Sequence, residues 1–222
     1  MYKKEAKAAA RDAYGRTLVE LGRKCRDIVV LDADLSGSTR TEWFAEECPD
    51  RFFNCGVAEE NLVTVAAGLA TCGKIPFAST FAVFGTERTY NQIRQTIAYP
   101  RLNVKIVCTH GGITVGPDGT SHQTIFDIAL MRVLPNMTVL VPADAPETTA
   151  AVRAMVEYNG PVYMRLGRTP VPIFYEEDYS YQGERNVFEI GKSVELRSGD
   201  DAAIICNGIM VSEAVDAAED LF

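Results

Sequence analysis

Two adjacent carboxylates, Glu59 and Glu60, open a segment of small and apolar residues. It runs Phe52-Phe53-Asn54-Cys55-Gly56-Val57-Ala58-Glu59-Glu60-Asn61 and on through Leu62, Val65, Ala66, Ala67, Gly68 and Leu69 to Gly73. The stretch reads as a short buried strand, a glycine turn and a helix with both acids in its first turn. Helical spacing separates the acids. Glu59, Leu62, Val63, Ala66, Leu69 and Ala70 share an apolar stripe, whereas Glu60, Thr64, Ala67 and Thr71 share a more polar one. Glu59 is therefore the acid expected inside. A carboxyl group facing an apolar interior has a raised pKa, so it can sit protonated or share a proton with a partner nitrogen near neutral pH. The competing reading is that both acids merely offset the positive end of the helix dipole.

A second stretch gathers both histidines of the chain. Thr109-His110-Gly111-Gly112-Ile113-Thr114-Val115-Gly116-Pro117-Asp118-Gly119-Thr120-Ser121-His122-Gln123 follows an apolar run and is rich in glycine. Glycine lets backbone approach a ligand closely, and imidazoles there can exchange protons near pH 7. Metal ligation would need a third donor, for which Asp118 is the nearby candidate; satisfied structural histidines are the plainer alternative. In Ser79-Thr80-Phe81-Ala82-Val83-Phe84-Gly85, Phe81 and Phe84 stand three apart. Such a pair is commonly core. Its place at the same sheet edge as Glu59 also suits a stacked planar heterocycle.

The elements that must position these groups alternate regularly. Lys4 to Lys24 read as an amphipathic helix with Ala9, Ala13, Leu18, Val19 and Leu21 on its apolar side and Gly22 near its end. Ile28-Val29-Val30-Leu31-Asp32-Ala33-Asp34 is an apolar run ending in acids, and Leu35-Ser36-Gly37-Ser38-Thr39 is a small-residue loop past its carboxyl end. Trp43 and Phe44 belong to a short helix. Strands at 52–55, 75–79, 104–109, 137–141 and 162–166 alternate with helices at 58–72, 87–98, 126–132 and 146–158. That order predicts a doubly wound α/β fold with about six parallel strands and helices on both faces. Residues 1–170 form this domain, and 171–189, rich in Pro, Tyr and acids, read as a linker. In 190–222, a strand with a glycine turn at 202–208 and a helix from Ser212 look like the opening of a second α/β domain that stops at Phe222, as if truncated.

The 222 residues are 47% hydrophobic and 23% charged, an ordinary globular balance. A net charge of −8 with no long Lys/Arg block argues against nucleic acid. No apolar run approaches the roughly 20 residues of a membrane helix. The N-terminus lacks the apolar core of a secretory signal, so the cytoplasm is the expected location. Six cysteines, Cys25, Cys48, Cys55, Cys72, Cys108 and Cys206, include no C-x-x-C pair and read as buried free thiols.

Four pieces taken together resemble the pyrimidine-binding domain of transketolase, a thiamine-diphosphate enzyme. They are Asp32-Ala33-Asp34-Leu35-Ser36-Gly37-Ser38, Gly56-Val57-Ala58-Glu59, Ser79 to Phe84, and Thr109-His110 through Asp118-Gly119 to Ser121-His122-Gln123, spread over about residues 8 to 170. The chain also resembles the C-terminal subunit of split transketolases, whose diphosphate-binding half is a separate polypeptide. The resemblance implies that Glu59 hydrogen-bonds the aminopyrimidine and drives it toward the imino form, which removes the thiazolium proton. It places Phe81 and Phe84 around that ring and Asp34 near the cofactor. It has His110 and His122 face substrate hydroxyls and move protons, Asp118 contact a donor hydroxyl, and Arg11, Ser38 and Arg168 grip the sugar phosphate.

The resemblance further implies a pentose-phosphate-pathway transferase that moves a two-carbon ketol unit from a ketose phosphate to an aldose phosphate. Magnesium or calcium would be bound mainly by the N-terminal partner subunit, within a heterotetramer built on dimers. Where the family commonly has a tyrosine after the second pocket aromatic, this chain has Gly85-Thr86-Glu87-Arg88-Thr89-Tyr90, with a small length difference. No third pocket residue is assigned. Arg165 and Arg168 also resemble the arginine pair of 1-deoxyxylulose-5-phosphate synthase. A 2-oxoacid dehydrogenase beta subunit and a non-catalytic partner module are the other readings.

Overall fold

The computed structural model describes residues 5–176, 179–181, 184–185 and 188–221. β1 (Lys7–Ala8) and α1 (Ala10–Lys24) lead into β2 (Ile28–Asp32). α2 (Ser36–Thr39), α3 (Glu42–Glu47), β3 (Phe52–Asn54), α4 (Glu59–Thr71) and β4 (Ile75–Phe81) follow. A helical stretch then has wide turns over Val83–Arg88 and Ile93–Ala98, with α5 (Tyr90–Gln92) between them. β5 (Lys105–Thr109), α6 (Asp127–Arg132), β6 (Thr138–Leu140), α7 (Ala145–Glu157) and β7 (Val162–Arg165) complete the alternation.

β2 to β7 form one parallel sheet in the order β3-β2-β4-β5-β7-β6. Every residue of β2 and β5 is buried, as unalternated apolar runs require. Neighbouring residues point to opposite faces and so build two cores. Leu31, Ala78 and Ile106 meet Leu62, Val63 and Ala66 of α4 with Ile93 and Ile97 on one side. Val30, Phe77 and Val107 meet Tyr14 and Leu18 of α1 with Val152 and Met155 of α7 on the other. From β2 the chain moves outward to β3 and then back across to β4. The carboxyl ends of β2 and β4 therefore flank the switch point where open α/β sheets bind ligands.

Several boundaries differ from expectation. The first helix begins at Ala10, not at Lys4, because Lys7 and Ala8 pair with β8 (Val171–Pro172) as a small antiparallel ribbon; residues 1–4 lie outside the described part. The 35–39 loop contains the single helical turn α2. The segment that reads as a linker is anchored where it is described. Asp144, which also caps α7, accepts the backbone N–H groups of Phe174 (2.7 Å) and Tyr175 (2.8 Å). Phe174, Tyr175 and Tyr179 are buried with Ala143 and Val211. β9 (Ser180–Tyr181) and β10 (Glu184–Arg185) form a second ribbon. Residues 202–207 are not a strand, and no ladder partner for them stands among the described residues; α8 (Met210–Asp220) follows. All six cysteines are free, but only Cys48 and Cys108 are buried.

Candidate active site

Glu59 begins α4 and is 2% exposed, as its stripe predicts, with Leu62, Val63 and Ala66 buried behind it. Ala67, placed on the polar stripe by spacing, is buried as well, because α4 lies flat against the sheet. The turn leading to Glu59 is pinned from its side chains. Asn54 donates through Nδ2 to Asp34 Oδ1 (2.9 Å), and Asn54 Oδ1 accepts the Gly56 N–H (2.9 Å). Asp34, left-handed at φ 65°, is thus tied to the Glu59 turn, and its own side chain is exposed. Glu59 Oε2 accepts from Arg88 Nη1 at 2.7 Å. Val57, Ala58, Glu59, Glu60, Asn61 and Arg88 line an open pocket of about 360 Å³.

Arg88 connects this acid to an aromatic cluster. Its Cζ lies 4.7 Å from the centroid of the Phe84 ring. Phe84 and Phe81 stack at 6.1 Å, and Phe81 stacks on His110 at 3.7 Å. His122 meets Phe84 edge-on at 5.3 Å and Phe81 at 6.1 Å. Phe81 ends β4 and is buried; Phe84 stands three residues on, in the wide helical turn. The two aromatics are therefore neither pure core nor free surface. The position three beyond Phe84 is Glu87, whose carboxylate takes the Thr124 hydroxyl. An acid in this turn thus fastens the loop that carries both histidines.

His110, at φ 62°, is 1% exposed and its Nδ1 is bonded to Thr109 Oγ1 at 2.8 Å. Burial, reinforced by the charges of Arg11 and Arg168, lowers its pKa to about 4. Its ring is neutral at pH 7, which leaves proton exchange to Nε2. His122 is held through Nδ1 by Ser121 Oγ at 2.9 Å. On the far side, Arg11 Nη1 donates to the Ser38 carbonyl oxygen (2.9 Å), and Arg168 Nε lies 3.9 Å from Asp118. The contact to Ser38 is through its backbone. Two guanidinium groups beside a neutral imidazole suit an anionic oxygen ligand.

Of the residues singled out by sequence, Arg11, Ser38, Phe81, Phe84, His110, Asp118, His122 and Arg168 converge at the carboxyl ends of β2, β4, β5 and β7. Glu59 joins them through Arg88, and Asp34 stands one step away behind Asn54. Sequence reasoning missed Arg88, although its spacing of four from Phe84 is a helical one. It also missed the work of Arg165. That guanidinium lies against Gly111 and Gly112, where a Cβ would collide with it, and its Nε sits 3.0 Å from Asp127, which also accepts from Tyr163 (2.8 Å). Among the described residues, no three His, Cys, Asp or Glu side chains gather as a metal site, and no helix is long and apolar enough to cross a membrane.

Fold and site define a doubly wound α/β domain whose carboxyl edge carries a buried acid, stacked aromatics and a two-histidine loop. Comparison with known proteins gives the family. The family described as transketolase, pyrimidine binding domain, matches residues 6–172. A putative transketolase C-terminal section of Methanocaldococcus jannaschii is 54% identical over 209 residues, covering 94% of this chain and 65% of its own length. The 6-deoxy-6-sulfo-D-fructose transketolase subunit of a Clostridium species is 41% identical over 211 residues, 95% of this chain and 63% of its own length. A solved split-gene transketolase, described as an inactive β4 tetramer, is 54% identical with a TM-score of 0.86 over 97% of this chain and 68% of that one. The chain belongs to the transketolase family and carries its pyrimidine-binding domain. It spans a little under two thirds of the length of those two relatives.

Proposed function

We propose that this chain is the pyrimidine-binding half of a two-chain transketolase that transfers a two-carbon ketol unit from a ketose phosphate to an aldose phosphate, in the cytoplasm, with thiamine diphosphate. The observation that carries the reading is Glu59, a buried carboxylate opening onto a pocket beside Phe84. The residues fit the planar end of that cofactor: an acid within reach of a ring nitrogen, apolar Val57 and Ala58 at the helix start, and the Phe84 ring just behind Arg88. When bound, the cofactor supplies the carbon that takes up the two-carbon unit. Glu59 would hold the ring through a hydrogen bond to one of its nitrogens, a role suited to a carboxyl that is dry on one side. Neutral His110, together with His122, exchanges hydrogen bonds with substrate hydroxyls, and Asp118 accepts from one more. Arg11 and Arg168 hold the phosphate end.

The divalent cation, magnesium or calcium, belongs with the diphosphate on an N-terminal partner subunit, in a heterotetramer. The donors on the histidine loop, two imidazoles and the Asp118 carboxylate that faces Arg168 at 3.9 Å, do not suit a hard cation. The test is reconstitution with a diphosphate-binding subunit. Ketol transfer from xylulose phosphate to ribose phosphate is expected in the mixture and not from either chain alone. Glu59→Gln should lower it by roughly 10²-fold or more, the scale of a positioned acid–base group. An undiminished E59Q pair would instead favour a non-catalytic module. Turnover of pyruvate with glyceraldehyde phosphate in place of the sugar pair would favour the deoxyxylulose-phosphate synthase reading.

A further inference from the structure

Arg88 is not among the residues that the family resemblance assigns, yet it touches both halves of the proposed ring site. Its Nη1 donates to Glu59 Oε2 at 2.7 Å while its Cζ lies 4.7 Å from the Phe84 centroid. Phe84 and Arg88 both lie on the wide turn over Val83–Arg88, from which Arg88 reaches Glu59 while covering the Phe84 ring; such turns recur at functional sites. The two partners are unequally dry, at 48% exposure for the arginine side chain and 2% for the glutamate. A half-exposed arginine can swing into water at small cost. A buried carboxylate cannot be left without a donor, since an unpaired buried charge costs several kcal/mol.

We propose that Arg88 is a resident of the cofactor-ring site whenever the cofactor is absent, in the free subunit and in the pair alike: its guanidinium holds Glu59 and covers Phe84 until the planar ring of the cofactor takes its place. The inference rests on the functional reading above. A guanidinium and an aminopyrimidine are both flat, both carry N–H donors in their plane and both lie against aromatic faces, so one set of walls serves either. The exchange also frees the acid to do its work. With the guanidinium at 2.7 Å the Glu59 oxygen is occupied, and a ring nitrogen can reach it only once Arg88 has left. Glu59 is thus never without a donor.

Calorimetric titration of thiamine diphosphate into the reconstituted pair tests this. Arg88→Met removes the competitor and leaves Glu59 without a donor until cofactor binds, so it should lower the cofactor Kd by at least about fivefold, more than a half-exposed ion pair alone would give. Arg88→Lys, which keeps the charge without the planar fork, should fall between it and the wild type. An unchanged or higher Kd for R88M overturns the proposal, because Arg88 would then be idle or would stay to orient Glu59. A second measurement uses the wild-type protein. With arginine-labelled chain, cofactor added to the pair should release the Arg88 side-chain NMR signal to the position it takes in the free E59Q subunit; a signal that stays at its paired position overturns the proposal. A pair that binds no cofactor, or an E59Q pair of full activity, overturns the functional reading along with it. Tight binding with R88M unimproved overturns this inference alone.

Discussion

His110 shows how burial settles a protonation state at a single residue. Its ring is stacked on Phe81 and bonded to Thr109, and burial first, then the charges of Arg11 and Arg168, lowers its pKa from 6.5 to about 4. The unfolded chain, with an ordinary histidine, binds more protons than the folded one between those two values, so this residue makes stability rise with pH across that window. The contribution is at most about 3 kcal/mol, from 1.36 kcal/mol per pKa unit. Urea unfolding of wild type and His110→Asn at pH 4.5 and pH 7 should show a shallower rise in the variant. An equal rise in both would mean that His110 titrates normally in the fold. The two histidines and Glu59 were legible as residue types on telling segments. Arg88 was not, because an arginine in a helix is ordinarily solvated and nothing in its neighbourhood announces a carboxylate 29 positions earlier.

At the scale of elements, the loop from Thr109 to His122 is shaped from beneath. The Gly111 N–H donates to the Leu166 carbonyl (3.0 Å), Gly112 pairs with Thr124, and Arg165 fills the space under both glycines. Gly111→Ala drives a methyl group into the Arg165 guanidinium and so shifts either the loop or the arginine away from Asp127. We expect ketol transfer by the reconstituted pair to drop by roughly tenfold to 10²-fold, as misplacement by about 1 Å does. The thermal midpoint should fall by only a few degrees; wild-type rates from G111A would show that the loop position is immaterial. The alternation of strands and helices was readable because unbroken apolar runs and helical stripes each carry their own period. The contact between Arg165 and the histidine loop was not, because it exists only through the parallel pairing of β5 with β7. Likewise residues 202–207 have strand composition but no ladder partner among the described residues.

Over the whole molecule, large apolar side chains stand exposed beyond the carboxyl ends of the strands, Val57 at 75%, Ile113 at 68%, Ile125 at 69% and Phe126 at 56%. Ile113 and Ile125 flank the Gly112–Thr124 bridge, beside the loop that carries both histidines. Uncovered apolar surface next to a site fits a site completed by another chain. Phe126→Glu should leave the free subunit folded by circular dichroism, since the side chain is already in water, and should abolish reconstituted activity with the partner. Full activity from F126E would place the partner elsewhere. The sequence by itself determined the strand order along the chain, the burial of Glu59 and the gathering of both histidines on one glycine loop, because periodicity and loop chemistry are local properties. Tertiary structure decided which of these groups meet. The crossover at β2 and β4 brings segments remote in sequence to one edge, and the depth of burial there selects a neutral His110 and a guanidinium as the partner of Glu59, neither of which any local pattern encodes.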